Sequence, residues 1–475
     1  PQPRRERPCS PPQHFHDETN EIPLISPENC KFRGEGNSSL VVTLNNGERV
    51  LRLRKSSTYK EELSSPTEKK VKKCQLQADF ISRVMRKLLG YRFVHPPVLV
   101  PLTVEDIKII NESVQDDRPL HRIKKGVLEV PTLGLLLPDY CMLPNHLRKY
   151  AEGPVLSIEI KPKQGFLPSF HALPRDHQIK ASICRFHLSQ NYKKSKGIIS
   201  SMSMYCPLDL FSGCPLRMHR ALRELLYHPQ NNLRIFKNKE LIFSEEMQSG
   251  LSSSLGDFFE KCDLVSREDQ LCQLVGKSLR HSFPTADKET FPRTTTPDVG
   301  AQSCVRSSIC TCSYQKRSQH RLPRGSVLER VLQLQCLCSM DVTEVYPLYH
   351  TIKKALDCDP DDLSVLPYLQ DGYPSPTIPK AFGKPQRQVF ETDLEFACRK
   401  IWEFLVALTA RDCSIMLSLQ RLSSLADIPL KDSIVEDAYG QLYLFSFGIV
   451  DLDPKAAFKL EKVYYDDSNM VNLLP

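Results

Sequence analysis

No stretch of this 475-residue chain reaches the run of about eighteen apolar residues that a membrane helix needs. The longest apolar region, around Leu133 to Leu143, is broken by Pro138 and Asp139, so no membrane insertion is expected and a soluble protein is. A regular cysteine framework is also missing. The 17 cysteines are odd in number, and many fall inside helical or strand-like runs, which argues against a disulfide-stapled secreted scaffold and for buried thiols in a reducing cytoplasm or nucleus. Charge of one sign is scarce: 64 basic against 56 acidic residues leave a net +8, enough to imply an anionic partner only where basic residues converge. Basic residues interleaved with exposed aromatics are absent too. Lys69, Lys70, Lys72 and Lys73 enter a predicted helix with no aromatic before Phe80, so no nucleic-acid partner is expected. No internal repeat is visible. The chain opens PQPRRERPCSPPQ, with neither methionine nor an apolar signal core, which leaves its true start undefined.

What is present is a globular composition, 40% apolar. Residues 1–22 are rich in proline and charge and predict a disordered tail. Gly34-Glu35-Gly36-Asn37 then precedes two apolar runs, Leu40–Leu44 and Val50–Arg54, separated by Asn45-Asn46-Gly47, a strong hairpin signal. Leu76, Phe80, Ile81, Val84, Met85, Leu88 and Leu89 recur at helical spacing up to Gly90 and predict a helix packed on that hairpin's sheet. Strands follow at Val98–Leu102 and Leu133–Leu143. Farther on, helices are predicted at about 176–191, 216–227, 327–338 and 394–409, a hairpin turning at Asn238-Lys239, and a strand over Gln441–Val450. Between 282 and 324 serine, threonine, proline and basic residues dominate, which predicts a disordered insertion.

The most informative word is Glu159-Ile-Lys161-Pro162-Lys163, followed by Gln-Gly-Phe-Leu-Pro. Val155, Leu156, Ile158 and Ile160 supply an apolar strand. With a side-chain period of two, Glu159, Lys161 and Lys163 share a face while Ile158 and Ile160 enter the core, and Pro162 and Gly165 end the strand. Cations and a carboxylate on one face suit phosphate; the same alternation alone also reads as an edge strand with a solvated charged face. Asp412 closes a long apolar helix, and Asp451 follows an apolar strand with Asp453 two residues on. Taken singly, the first is also a capping residue and the second a turn.

The ten-residue word EIKPKQGFLP resembles the signature of the inositol-pentakisphosphate 2-kinase family, and the resemblance continues in register through Arg118–Arg122 (RPLHR), Tyr205–Gly213 (YCPLDLFSG), Pro229–Phe236 (PQNNLRIF), Arg411–Met416 (RDCSIM) and Asp451–Lys455 (DLDPK). It implies an α+β, two-lobed, kinase-like inositol polyphosphate kinase fold. A small β-rich N-lobe would occupy 23–140, and a larger, mostly helical C-lobe 141–475. It also implies an ATP- and Mg²⁺-dependent kinase that phosphorylates the 2-hydroxyl of inositol 1,3,4,5,6-pentakisphosphate, acting as a monomer in cytoplasm and nucleus. By resemblance Asp412 is the general base, aided by Lys161, and Asp451 the Mg²⁺ ligand. Gly34, Glu35, Gly36, Asn37, Arg52, Cys141, Met142, Leu143, Glu159, Lys161 and Arg234 fall to the nucleotide. Arg122, Lys163, Lys193, Asn231, Lys455, Lys459 and Tyr464 fall to the acceptor, whose five phosphates carry roughly eight to ten negative charges. The P-x-x-x-D-x-K-x-G word of the broader inositol-phosphate kinase group is absent.

Three positions depart from the family pattern. Ser189 stands where a histidine is usual four residues before Lys193, Pro454 interrupts the D-L-D-L-K-P run, and Cys338 replaces an acidic residue before Asp341. They support a competing reading, a catalytically weak inositol-polyphosphate-binding or RNA-associated paralogue on the same fold. Some relatives, notably in plants, carry a structural zinc. Here Cys304, Cys310, Cys312 and His320 form only a loose cluster inside the expected insertion, and Cys358 stands alone in the segment where those relatives place their cysteines, so no zinc is expected.

Overall fold

Leu40, Val42 and Leu44 recur at period two and are fully buried, as are Leu51 and Leu53 on the next strand, and this alternation builds the first sheet. In the computed structural model, which describes residues 24–44, 48–55, 67–123, 126–127, 129–260, 265–284, 302, 304, 320–356, 387–388, 390–423 and 431–473, the chain is α+β with two antiparallel sheets. The smaller sheet contains β1 (Lys31–Glu35), β2 (Ser39–Leu44), β3 (Arg49–Arg54), β4 (Val98–Leu102) and β5 (Thr132–Pro138), in the order β1-β2-β3-β5-β4. The predicted hairpin is β2–β3, with Val42 opposite Leu51; residues 45–47 lie outside the described set.

Helix α1 (Thr67–Asp79) continues through a π-helical turn, Phe80–Met85, and a last α-turn, Arg86–Leu89, before Gly90 ends it at φ 109°. Its first half leans on β5, where Cys74 Sγ meets the Leu133 carbonyl at 3.5 Å. Its second half departs from the sequence reading: Phe80, Ile81, Val84, Met85, Leu88 and Leu89 are buried in the large core around the other sheet. The apolar face of the small sheet is covered instead by α2 (Val104–Val114), whose Ile107, Ile110 and Val114 pack on Leu40, Val42 and Leu51. Thr103 and Asp106 cap α2 reciprocally.

The second sheet has six strands: β6 (Ala151–Ile160), β7 (Leu233–Lys237), β8 (Glu240–Phe243), β9 (Ser414–Leu422), β10 (Ile434–Glu436) and β11 (Leu442–Val450). Their order is β10-β11-β9-β6-β7-β8, so the region expected to be mostly helical holds the larger sheet. Its central strands are covered on both faces; Val155–Ile158 and Ser414–Gln420 are buried without alternation. The β7–β8 turn is the predicted Asn238-Lys239, both at positive φ, 49° and 75°.

Around this sheet lie α3 (Arg185–Ser195), α4 (Pro215–Tyr227), α5 (Arg267–Leu279), α6 (Val327–Gln335), α7 (Val342–Leu356), α8 (Asp393–Ala410) and α9 (Lys459–Val471). The helix expected at 176–191 is split: Arg175–Ala181 is 3-10, and Cys184 is extended (ψ 147°) before α3 begins. Its N–H donates to Cys304 Sγ at 3.4 Å instead of continuing a helix. The expected insertion is likewise corrected in part. Residues 285–301, 303 and 305–319, with Cys310 and Cys312, lie outside the described set, as does Cys358, but Cys304 is buried in the large core.

Candidate functional site

Strands β6, β9 and β11 lie side by side, and their adjoining ends gather the polar residues. Ile158 and Ile160 enter the core as expected, leaving Glu159 on the other face. Ser414, the first residue of β9, donates its hydroxyl to Glu159 Oε1 at 2.9 Å and lies 3.4 Å from Asp451 Oδ2. Arg234, opposite Glu159 on β7, places its guanidinium 3.8 Å from the same carboxylate and 3.5 Å from Asn231 Oδ1. Strand β6 ends at Ile160, so Lys161 and Lys163 reach the site through a turn and not along a continued strand. Lys163 takes φ 58° and Asp451 φ 62°, two non-glycine residues in the left-handed region at the same site.

Lys161 Nζ lies 3.3 Å from Asp451 Oδ2, and Lys163 Nζ lies 3.4 Å from Asp412 Oδ1. Lys455 donates to the other Asp412 oxygen at 3.0 Å. Burial pushes the Asp412 carboxyl up, but Lys163, Lys455 and Lys161 outweigh it and hold the group below its ordinary range, ionised at neutral pH. Burial lowers Lys163, as do the nearby charges of Lys161 and Lys193, against the opposing pull of Asp412. Lys193 on α3 thus faces the same cleft. Burial also lowers Lys459, with Lys455 and Arg54 adding to the effect.

One side chain secures both halves of this arrangement. Gln335, at the end of α6, donates to the Lys163 carbonyl at 2.7 Å and the Ala410 carbonyl at 3.2 Å, and accepts from Gly165 N–H at 2.9 Å. The Tyr205 hydroxyl donates to the Pro162 carbonyl at 2.8 Å. Gly165 is required by close approach: a Cβ there would stand 2.3 Å from Phe211 Cδ2. Arg411, next to Asp412, buries its guanidinium between the Phe166 and Phe404 rings, 5.2 Å from each centroid. Cys338, the expected acidic position, is buried with its thiol 3.8 Å from the Lys400 carbonyl.

On the small sheet Arg52 points away from the apolar face and grips both oxygens of Asp453 at 2.6 Å, while Gln77 of α1 donates to the same carboxylate. Burial works against Arg52's charge, but Asp453 holds its pKa above the ordinary value. The Glu35 carboxylate is fully buried and committed to Lys55 and to Arg118, the latter at 2.7 and 2.9 Å, so only its backbone is left for a phosphate. Arg122 bonds Asn37 in the same turn, and Gly36 N–H donates to the Ser39 carbonyl at 2.9 Å. At the segment after β5, the Cys141 N–H donates to Asp139 and its carbonyl accepts from Ser157, both at 2.9 Å; Leu143 is buried and its carbonyl accepts from Arg148. Tyr464 lies on α9, its ring stacked on that of Tyr346 with centroids 4.2 Å apart.

The site residues that sequence reasoning missed are Ser414, Gln335, Gln77, Lys55, Arg118 and Tyr205. Arg118, Tyr205 and Ser414 stood inside recognised words, and no spacing marks Gln335, Gln77 or Lys55.

Two aspartates, each facing a lysine at the ends of neighbouring strands and ringed by further cations, with a bidentate arginine nearby, are the components that phosphoryl transfer calls for, and they define a phosphotransferase-type cleft. Comparison with known proteins names the family. The inositol-pentakisphosphate 2-kinase family profile matches residues 32–469, and the chain belongs to that family. It is 31% identical over 473 residues to inositol-pentakisphosphate 2-kinase of Danio rerio, covering 95% of this chain and 94% of that protein. Over 401 residues it is 26% identical to the Arabidopsis thaliana protein of the same name, covering 84% and 76% respectively. A Drosophila melanogaster protein of that name is 30% identical over 307 residues, covering 46% of this chain and 49% of the relative.

Proposed function

We propose that the chain transfers the γ-phosphate of ATP to the 2-hydroxyl of inositol 1,3,4,5,6-pentakisphosphate, giving inositol hexakisphosphate and ADP. The observation that carries this reading is Asp412, ionised and held between Lys163 and Lys455. A base that touches two phosphate-binding cations lies beside whatever those cations bind. As the 2-oxygen bonds to the γ-phosphorus and the bond to the β–γ bridging oxygen breaks, the hydroxyl proton passes to Asp412. Lys161 offsets charge on the transferring group. Arg122, Lys163, Lys193, Asn231, Lys455, Lys459 and Tyr464 take the acceptor phosphates. The Gly34–Asn37 backbone, Arg52, Glu159 and Arg234 serve the nucleotide phosphates, and the 141–143 segment serves the adenine.

The donor set fits Mg²⁺. Asp451 offers a hard oxygen ligand with 45% of its side chain exposed, whereas both oxygens of Asp453 are committed to Arg52. When bound, the ion would offset charge on the donor phosphates. On this reading the small sheet and its helices act as the N-lobe of a kinase-like pair and the remainder as the C-lobe, with ATP between them, in a monomer of the cytoplasm and nucleus.

The test is incubation with labelled ATP, Mg²⁺ and inositol pentakisphosphate, with separation of the products and an Asp412→Asn control. Hexakisphosphate from the unmutated chain alone is the expected result. Tight binding of the pentakisphosphate with no product would overturn the catalytic reading in favour of a binding paralogue.

A further inference from the structure

Strand β1 is irregular just before its glycine turn. Phe32 pairs with Val42 and Gly34 with Val41, so Arg33 is an extra residue with no opposite number on β2. A bulge of this kind re-aims one side chain. Here it sends Arg33 off the small sheet and onto the larger one. Its guanidinium lies over the Phe236 ring of β7, 4.6 Å from the centroid, and donates to the Lys239 carbonyl of the β7–β8 turn at 3.1 Å and to Cys141 Sγ. Its Nε stands 3.6 Å from Asp139 Oδ2, and the two side chains are only 13% and 3% exposed.

Arg33 thus reaches the ground between the phosphate site and the segment after β5. On β7 and β9, Ile235, Ile415 and Leu417 enter the large core, while Phe236 and Met416 turn to the other face and form a small separate apolar cluster with Cys141. Glu159 of the phosphate site stands opposite Arg234 and Met416. Two residues back along β6, Ser157 stands opposite Phe236 and Ser418, and these two serines donate to the Cys141 and Tyr140 carbonyls respectively. The face therefore runs from charge, across an apolar floor, to a pinned backbone segment, which suits a nucleobase attached to phosphates.

Asp139 links the arginine to that backbone. Its Oδ1 accepts from the Cys141 N–H at 2.9 Å, while its Oδ2 is buried without a hydrogen bond and has Arg33 as its ion-pair partner. Burial pushes the Cys141 thiol up to about 12, so it stays neutral and Asp139 supplies the countercharge.

We propose that Arg33 positions the base of the nucleotide: it walls the Phe236–Met416 floor and, through Asp139, sets the backbone at Cys141 that meets the base. Because Gly34 follows it directly, the same residue fixes the spacing between the base and phosphate sites. This role rests on ATP as the donor and gives Arg33 no part in binding the acceptor. A planar fork that stacks and donates in three directions is not replaced by lysine.

The test is calorimetry on the full chain with ADP and, separately, inorganic pyrophosphate, both with Mg²⁺, so that no phosphoryl transfer enters. Arg33→Met should weaken ADP binding about ten- to a hundredfold, the range for loss of a bond to a charged group, and leave pyrophosphate binding within about twofold. Arg33→Lys should recover only part of the loss. Asp139→Asn should weaken ADP too, and the double variant should lose less than the product of the single losses. The double variant also removes the unpaired buried carboxylate that Arg33→Met leaves, so it carries the comparison if the single variant does not fold. A lower thermal midpoint with unchanged ADP affinity, or equal losses for ADP and pyrophosphate, overturns the proposal in favour of a purely structural clasp. A wild type that shows this base-dependent binding but makes no hexakisphosphate overturns the kinase reading and leaves the role of Arg33 standing.

Discussion

Lys163 and Asp412, 249 residues apart in sequence, face each other at 3.4 Å, and the lysine does so from a left-handed backbone conformation. The pair joins the signature turn after β6 to the turn after α8, and each residue favours the charged form of the other against burial.

Replacing Asp412 by asparagine keeps the side chain's shape and removes the proposed base. The expected outcome is a fall in kcat of about 10²–10⁴-fold, the usual worth of a positioned base, with pentakisphosphate affinity unchanged or raised because a negative charge leaves the cleft. Steady-state kinetics with calorimetric binding checks both.

The same pair predicts a pH effect. Asp412 is depressed by Lys163, Lys455 and Lys161 acting against burial, so the acid limb of the kcat profile should fall below the ordinary carboxylate range. Lys163→Met removes one stabilising cation, raises the carboxyl pKa and should move that limb to higher pH. Measurement at saturating acceptor separates this shift from weaker binding.

Asp467 on α9 offers a stability counterpart. It is buried against Lys180, at 2.5 Å, and Arg185, with His177 Nδ1 at 3.7 Å and Asp341 on the far side of Lys180. Burial alone would raise its pKa, but His177, Arg185 and Lys180 hold it well below the ordinary value. Its contribution is therefore complete above the unfolded pKa of about 3.9 and fades as pH falls toward the folded one. Asp467→Asn should cost on the order of 3 kcal/mol at neutral pH, with the gap to wild type narrowing below about pH 4. Denaturant melts across pH check this.

Gly165→Ala drives a methyl into Phe211 and should destabilise by about 1–3 kcal/mol. Because Gly165 N–H is also bonded to Gln335, activity should fall more than stability alone explains, which equilibrium melts beside kinetics will show.

Much of this was legible in the sequence because the signals were local. Apolar runs marked β2, β3 and β11, Asn238-Lys239 marked the β7–β8 turn, and the E-I-K-P-K word marked the site's edge. Strand β9 escaped because Ser414–Gln420 is buried on both faces and shows no alternation, while α9 follows the site with few apolar residues. The destination of α1 escaped as well, since an apolar stripe states that a face is buried but not against which sheet. Gln335 and the Cys184–Cys304 contact were unreadable for a simpler reason: their partners lie far away in sequence, and only the closed fold brings them together.

Arg52 and Asp453 are 401 residues apart. During synthesis β3 is made long before the carboxylate that fixes its arginine, which follows 401 residues later together with Asp451, Lys455 and α9. A nascent chain interrupted before β11 would hold the signature lysines without Asp451 or Asp453. The two aspartates and the signature turn thus meet only once β11 has been made, so a product truncated before it would carry the turn without the carboxylates it faces.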